Sequence, residues 1–198
     1  MRIRRKSETF PPGAAVLGFD GVIVDHRKQY QAELKRRGYP LTQAQLNVNV
    51  IKQHVPADVL ADVDAWLLGD GTKSAPAFPG ALETLEQFRD AIFIATARGT
   101  DERRSALSWL NEHVPTFSER NVVFFPTVAA KAKALREEEL SVFVDDQIGP
   151  VKSLPASTVR LLFDPDAALE TARFPDIRIV KNWDEIREVI ESTVKPVL

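Results

Sequence analysis

Short, unbroken apolar runs alternate with amphipathic stretches along most of this chain. The run "AAVLGF" (14–19) lies between Pro11-Pro12-Gly13 and Asp20-Gly21. Turn signals on both sides of so short a run predict a buried strand. Ala91–Ala95, Val122–Phe125, Val142–Val144 and Val159–Phe163 repeat the pattern, and "IRIV" (177–180) adds one more. Continuous apolar strands of this length fit a parallel sheet covered on both faces. Helical stripes lie between them. Leu82, Leu85 and Phe88 mark a helix over 80–89, Leu107 and Leu110 one over 102–113, and Ile186, Val189 and Ile190 one over 184–193. Thr127 is an N-cap candidate for a helix over 128–138. Strand–helix alternation predicts an α/β fold with a doubly wound, mostly parallel sheet and right-handed crossovers.

Residues 27–77 break the rhythm. They carry no strong strand pattern and read as helices only: "RKQYQAELKRRG" closed by Gly38, "TQAQLNVNVIKQHV" from Thr42, and "PADVLADVDAWLLG" from Pro56 to Gly69. The expected organisation is an N-terminal arm (1–13), a core built from 14–27 and 78–198, and a small helical cap (28–77) inserted after the first strand.

Composition narrows the chemistry. The 198 residues include no cysteine, which removes disulfides, thiolate catalysis and cysteine-ligated metals. A net charge of −2 gives no basic field for nucleic acid or an anionic membrane. The basic start "MRIRRK" is followed by polar "SETFPPG" rather than a signal peptide's apolar stretch. No apolar run reaches the roughly 20 residues of a membrane span. A cytoplasmic location is the expectation. His26, His54 and His113 show no metal-ligand spacing.

In open α/β sheets, ligands collect outside the carboxyl ends of the strands. At those ends stand Gly18, Asp20 and Asp25 after the first strand, and Thr96, Ala97 and Arg98 after the second. Lys131 follows the third, and Asp145-Asp146 follow the fourth. This set suits a phosphate. Magnesium takes oxygen ligands, and carboxylates at Asp20, Asp146 and Asp145 offer them. Thr96 and the backbone N–H groups after it can hold phosphoryl oxygens, and Lys131 can neutralise developing charge.

The order "DGVIVD" (20–25), "IATARG" (94–99), Lys131 and "VFVDD" (142–146) resembles the haloacid dehalogenase-like phosphatase superfamily. The insert matches that family's cap. "SWL" (108–110) and "NWDEIREVI" (182–190) look like its deoxyribonucleotidase-like branch. The opposite motif order separates the chain from response-regulator receivers. The resemblance implies a Rossmann-like core with a cap, a magnesium cofactor and a small phosphorylated partner, with a small phosphomonoester such as a nucleotide as the substrate of an active enzyme. The family's first motif is Asp-x-Asp-Gly-Thr, in which the first Asp attacks phosphorus and the second is acid and then base. Matching Gly21 puts the second Asp at Asp20, the nucleophile at Gly18 and the Thr at Val22. A shifted register makes Asp20 the first Asp, but it puts Val22 at the acid position and leaves Gly21 unmatched.

In the first register the resemblance implies a phosphatase-like protein without its nucleophile, binding a phosphate-bearing ligand or magnesium weakly. The alternative is an active magnesium-dependent phosphohydrolase that uses Asp20, with Lys131, in another way. A third possibility is an interaction protein with a vestigial cleft. An aspartate returned to position 18 is expected to restore part of the chemistry.

Each residue also has a plainer reading. Asp20 is also a turn residue, Thr96 also a helix cap, and Arg98 also a surface or ion-pairing cation. Lys133 competes with Lys131. His26 is expected to be structural, Trp66, Trp109 and Trp183 to pack in the core or cap, and the charges over 27–37 to be solvated. The oligomeric state is not legible.

Overall fold

A computed structural model of the chain describes residues 9–170 and 173–194. Six parallel strands form one sheet in the order β3-β2-β1-β4-β5-β6. They are β1 (Ala15–Gly18), β2 (Ile92–Thr96), β3 (Val122–Phe124), β4 (Val142–Asp145), β5 (Val159–Phe163) and β6 (Arg178–Val180). The apolar runs form strands because both faces are covered. Ala15 and Leu17 of β1 pack into one cluster with helices α3 (Ala81–Gln87), α4 (Thr100–His113) and α7 (Trp183–Thr193). Val16 points the other way, into a second cluster with α5 (Val128–Leu135) and α6 (Ile148–Ser153). The central strands β1 and β4 lie side by side where the strand order reverses, the place where open α/β sheets bind ligands. In register, Gly18, Thr96 and Asp145 end neighbouring strands.

Of the arm, residues 1–8 lie outside the described residues. Phe10 is buried, edge-on to Phe93, so the end of the arm belongs to the core's packing.

The insert holds α1 (Arg27–Arg36), α2 (Ala57–Leu68) and short 3-10 turns at 44–46, 51–53 and 70–74, with no strand among its described residues. Leu34, Leu46, Ile51, Val55, Leu60, Val63 and Leu67 make a small apolar core of their own. The helix expected from Thr42 is absent, and two 3-10 turns stand there. Side-chain amides compete with the helical ladder at this point. Asn47 Oδ1 accepts the backbone N–H of Asn49 at 2.9 Å. Asn49 turns outward, donating to the carbonyl of Asp146 at 2.7 Å and accepting the N–H of Ile148 at 3.0 Å. Asn47 Nδ2 donates to buried Asp164 at 3.0 Å. The two amides latch the insert over the ends of β4 and β5.

The chain enters and leaves the insert through one tie. Asp25 N–H donates to the Pro76 carbonyl at 2.8 Å, and Phe78 N–H to that of Ile23 at 2.9 Å. Trp109 and Trp183 brace it, their indoles donating to the carbonyls of Ala75 at 2.8 Å and Val22 at 2.9 Å. Trp66 departs from the core or cap-packing expectation: it is 44% exposed. Among the described residues, no helix is long and apolar enough to cross a membrane.

Candidate active site

The cleft between strand ends and insert is a cavity of about 560 Å³, lined by Asp20, Thr96, Ala97, Lys131 and Asp146 among others. Five of the residues singled out in the sequence therefore share one space. Arg98 and Asp145 do not line it, and their positions explain much of the site.

Asp20 leaves the end of β1 in a tight turn. Gly21 is held at φ +71°, and a Cβ there would fall on Asp146 Oδ2, so conformation and space both require glycine. Arg98 grips the Asp20 carboxylate with two arms, Nε to Oδ2 at 3.0 Å and Nη2 to Oδ1 at 2.5 Å. His26 Nε2 adds a contact to Oδ1 at 3.0 Å, and Thr96 Oγ1 donates to Oδ2 at 3.3 Å. Burial pushes the Asp20 carboxyl up. The attraction and hydrogen bonds of Arg98, joined by His26, outweigh that and hold it far below the usual carboxylate range.

Of the places expected for Arg98, at the phosphate, on the surface or in an ion pair, it takes the last, with Asp20. It is 0% exposed. Beyond Asp20 it donates to the Leu68 carbonyl at 2.8 Å, Thr72 Oγ1 at 2.9 Å and Ser105 Oγ at 3.0 Å. Its guanidinium is spent inside the protein, joining the Asp20 turn to the return segment of the insert. Thr96 is not the α4 cap. That helix is capped by Gly99, whose N–H is accepted by Glu102 Oε2 at 2.7 Å.

Lys131 is buried and lines the cavity, whereas Lys133 is exposed. Thr127 Oγ1 caps α5 by accepting the Ala130 N–H at 3.1 Å and so starts the helix that carries Lys131. Lys131 Nζ donates to Asp145 Oδ2 at 2.6 Å, and Asp145 Oδ1 accepts the Gln147 N–H at 2.9 Å. Burial first, then the like charge of Asp145, pushes the Asp146 carboxyl well above its ordinary value.

Two cavity residues were not read as functional in the sequence. His26 touches Asp20, and its buried Nδ1 meets no partner among the described residues. Its position directly after "DGVIVD" was the available signal. Arg27 was read as part of a solvated face. It pairs with Asp25 and Asp166, each at 2.7 Å, and lies over the Phe78 ring.

Solved structures share this architecture. A hydrolase from Pseudomonas syringae matches with a TM-score of 0.58 at 16% identity, covering 92% of this chain and 99% of that one. An HAD family hydrolase from Deinococcus radiodurans, crystallised with bound phosphate and sodium, matches with a TM-score of 0.58 at 14% identity, covering 92% and 96%. A β-phosphoglucomutase from Clostridium difficile gives a TM-score of 0.51 at 12% identity, covering 92% and 98%. The fold is that of the haloacid dehalogenase-like hydrolases. No protein-family model and no curated protein matches the sequence. The likeness is one of architecture, and the chain's own side chains must carry any chemistry.

Those side chains leave magnesium few ligands in this arrangement. The carboxylates of Asp20 and Asp145 are committed to cations, Arg98 and Lys131, which leaves Asp146, with the backbone carbonyl of Asp20, as the expected ligands still open to an ion. No group of three acidic or histidine side chains that could hold an ion comes together among the described residues. Magnesium at 10 mM should therefore raise the melting temperature by less than about 2 °C, the effect of a site half filled at that concentration. A rise of 5 °C or more would overturn this reading of the carboxylates.

Proposed function

We propose that this chain is a phosphatase-like binding protein that holds a small phosphate-bearing molecule between insert and strand ends without hydrolysing it. The observation that carries the reading is Gly18. It ends β1 beside the cavity floor, two residues before Asp20, and has no group that can attack phosphorus. The shifted register finds no support, because Val22 is fully buried in the core and cannot stand for a proton donor. Asp20 adds a second argument. A carboxylate gripped by Arg98 holds its proton less readily than a free one, which opposes its use as the acid for a leaving group. Thr96, the Ala97 backbone and Lys131 still offer an oxyanion a seat. Magnesium plays at most a weak part, for want of free carboxylates. The stretches that look like deoxyribonucleotidases name no substrate here, because Trp109 and Trp183 are buried braces of the tie.

Phosphate release from aryl and alkyl phosphomonoesters with magnesium tests the proposal on wild type, Asp20→Asn and Gly18→Asp. Wild type should stay at background. A Cβ at position 18 would lie 3.0 Å from Asp145 Oδ2 and 3.1 Å from Val22 Cγ2. Gly18→Asp should therefore cost about 1–3 kcal/mol of stability. The new side chain presses on the Asp145 carboxylate that holds Lys131, so this single change should restore no measurable turnover, contrary to the expectation from sequence. Robust wild-type turnover that disappears in Asp20→Asn would defeat the proposal and establish an active phosphohydrolase.

A further inference from the structure

We infer that the ligand of this cavity is an amphiphilic oxyanion, with a single anionic head at the strand ends and an apolar, aryl or alkyl body against the insert. The inference rests on the oxyanion-binding reading above and adds the chemistry of the rest of the molecule. It also ranks such a molecule above the sugar phosphates and nucleotides that the resemblance suggests.

The observation is how the cavity wall is divided. At the strand ends Thr96, Ala97 and Lys131 line the cavity, with the carboxylates of Asp20 and Asp146 beside them. Away from that floor most of the wall is apolar, with Tyr30, Lys52 and Asp64 of the insert and Gln147 of the core among its polar members. Leu46, Ile51, Val55 and Leu60 face the space from the insert, and Phe78 and Phe163 from the core. The cavity thus separates the insert's small apolar core from the main one. A sugar ring would need several donors and acceptors at this height. Several of those nearby are already committed to one another. Asn47 donates to Asp164, and Tyr30 Oη donates to Asp64 Oδ1 at 2.7 Å. Arg27 is spent on Asp25 and Asp166. A hydroxyl-rich ligand would lose water there and find few partners, whereas an apolar body gains by leaving water. The volume of about 560 Å³ is that of a small-molecule site.

Calorimetry in magnesium-free buffer tests this with four probes: naphthylmethylphosphonate, methylphosphonate, ribose 5-phosphate and 1-naphthol. The phosphonates cannot be consumed by phosphatase chemistry. Naphthylmethylphosphonate should bind roughly 30-fold more tightly than methylphosphonate, as burial of one aromatic body implies, and more tightly than ribose 5-phosphate. Ala61 lines the cavity yet is exposed, so Ala61→Trp should fold and should erase that ratio by filling the space. Equal affinity for the two phosphonates, or tighter binding of ribose 5-phosphate, overturns the apolar body and leaves the oxyanion reading standing. Tight 1-naphthol binding, equal to that of naphthylmethylphosphonate, overturns the anionic head. No binding by any probe overturns both.

Discussion

Arg98→Met should lower folding stability by about 3–5 kcal/mol, the loss expected when one partner of a buried charge pair is removed. For a chain of this length that corresponds to about 10 °C or more in melting temperature. The side chain is fully buried, and its donors reach Asp20, Leu68, Thr72 and Ser105. Methionine fills the space but leaves those acceptors unpartnered. Arg98→Lys should recover only part of the loss, because an ammonium cannot reproduce the planar fork. The effect should depend on pH with a definite sign. The folded-state pKa of Asp20 lies below its unfolded value, so its pairing contributes stability that is complete above the unfolded value, about 3.9, and is lost as pH falls through the folded one. Arg98→Met relaxes that depression. The stability gap between wild type and variant should therefore narrow as pH is lowered from about 7 to about 3. Thermal melts across that range check both statements. A loss below about 1 kcal/mol at pH 7 would place the pair with exposed ion pairs and remove the argument that Arg98 locks Asp20.

Arg98 also marks the limit of what the sequence could say. The central strands were legible because they are continuous apolar runs, the trace of a strand covered on both faces, and β5 and β6 because an apolar run survives beside Arg160 and Arg178. The positions of Asp20, Thr96, Lys131 and Asp146 at one end of the sheet followed from strand direction alone. An arginine just past a strand reads equally well as an anion ligand or a surface charge. Only the path of the insert, which returns Leu68 and Thr72 to the same point, makes it a buried tie. The helix expected from Thr42 failed for a related reason. The partners of Asn47 and Asn49 are Asp164 and the Asp146–Ile148 backbone, about a hundred residues away and invisible to local periodicity. Helix α6 (Ile148–Ser153) carried too little pattern to be seen, being short and interrupted by Gly149 and Pro150. Lys131 and Lys133 were inseparable at two residues' spacing until the α5 contacts placed one inside and the other outside.

Lys131→Met is the second change expected to have a large effect, and it separates a structural lysine from a binding one. Its side chain is 6% exposed and that of Asp145 is 1% exposed, with 2.6 Å between them. Removing the ammonium leaves a buried carboxylate next to Asp146, at a cost of about 3–5 kcal/mol. The double variant Lys131→Met/Asp145→Asn should recover most of that loss. It removes the orphaned charge yet keeps an acceptor for the Gln147 N–H, which Asp145 Oδ1 now takes at 2.9 Å. If Lys131 served only to neutralise Asp145, oxyanion affinity would return together with stability. If it also seats the ligand's head, affinity for methylphosphonate stays lost while the melting temperature returns. We expect the second pattern, because Lys131 lines the cavity, and one bond to Asp145 leaves its ammonium two further N–H donors. Thermal melts and calorimetry on the single and double variants decide between them. Recovery of both quantities would reduce Lys131 to a structural counter-ion and leave Thr96 and Ala97 to seat the anion.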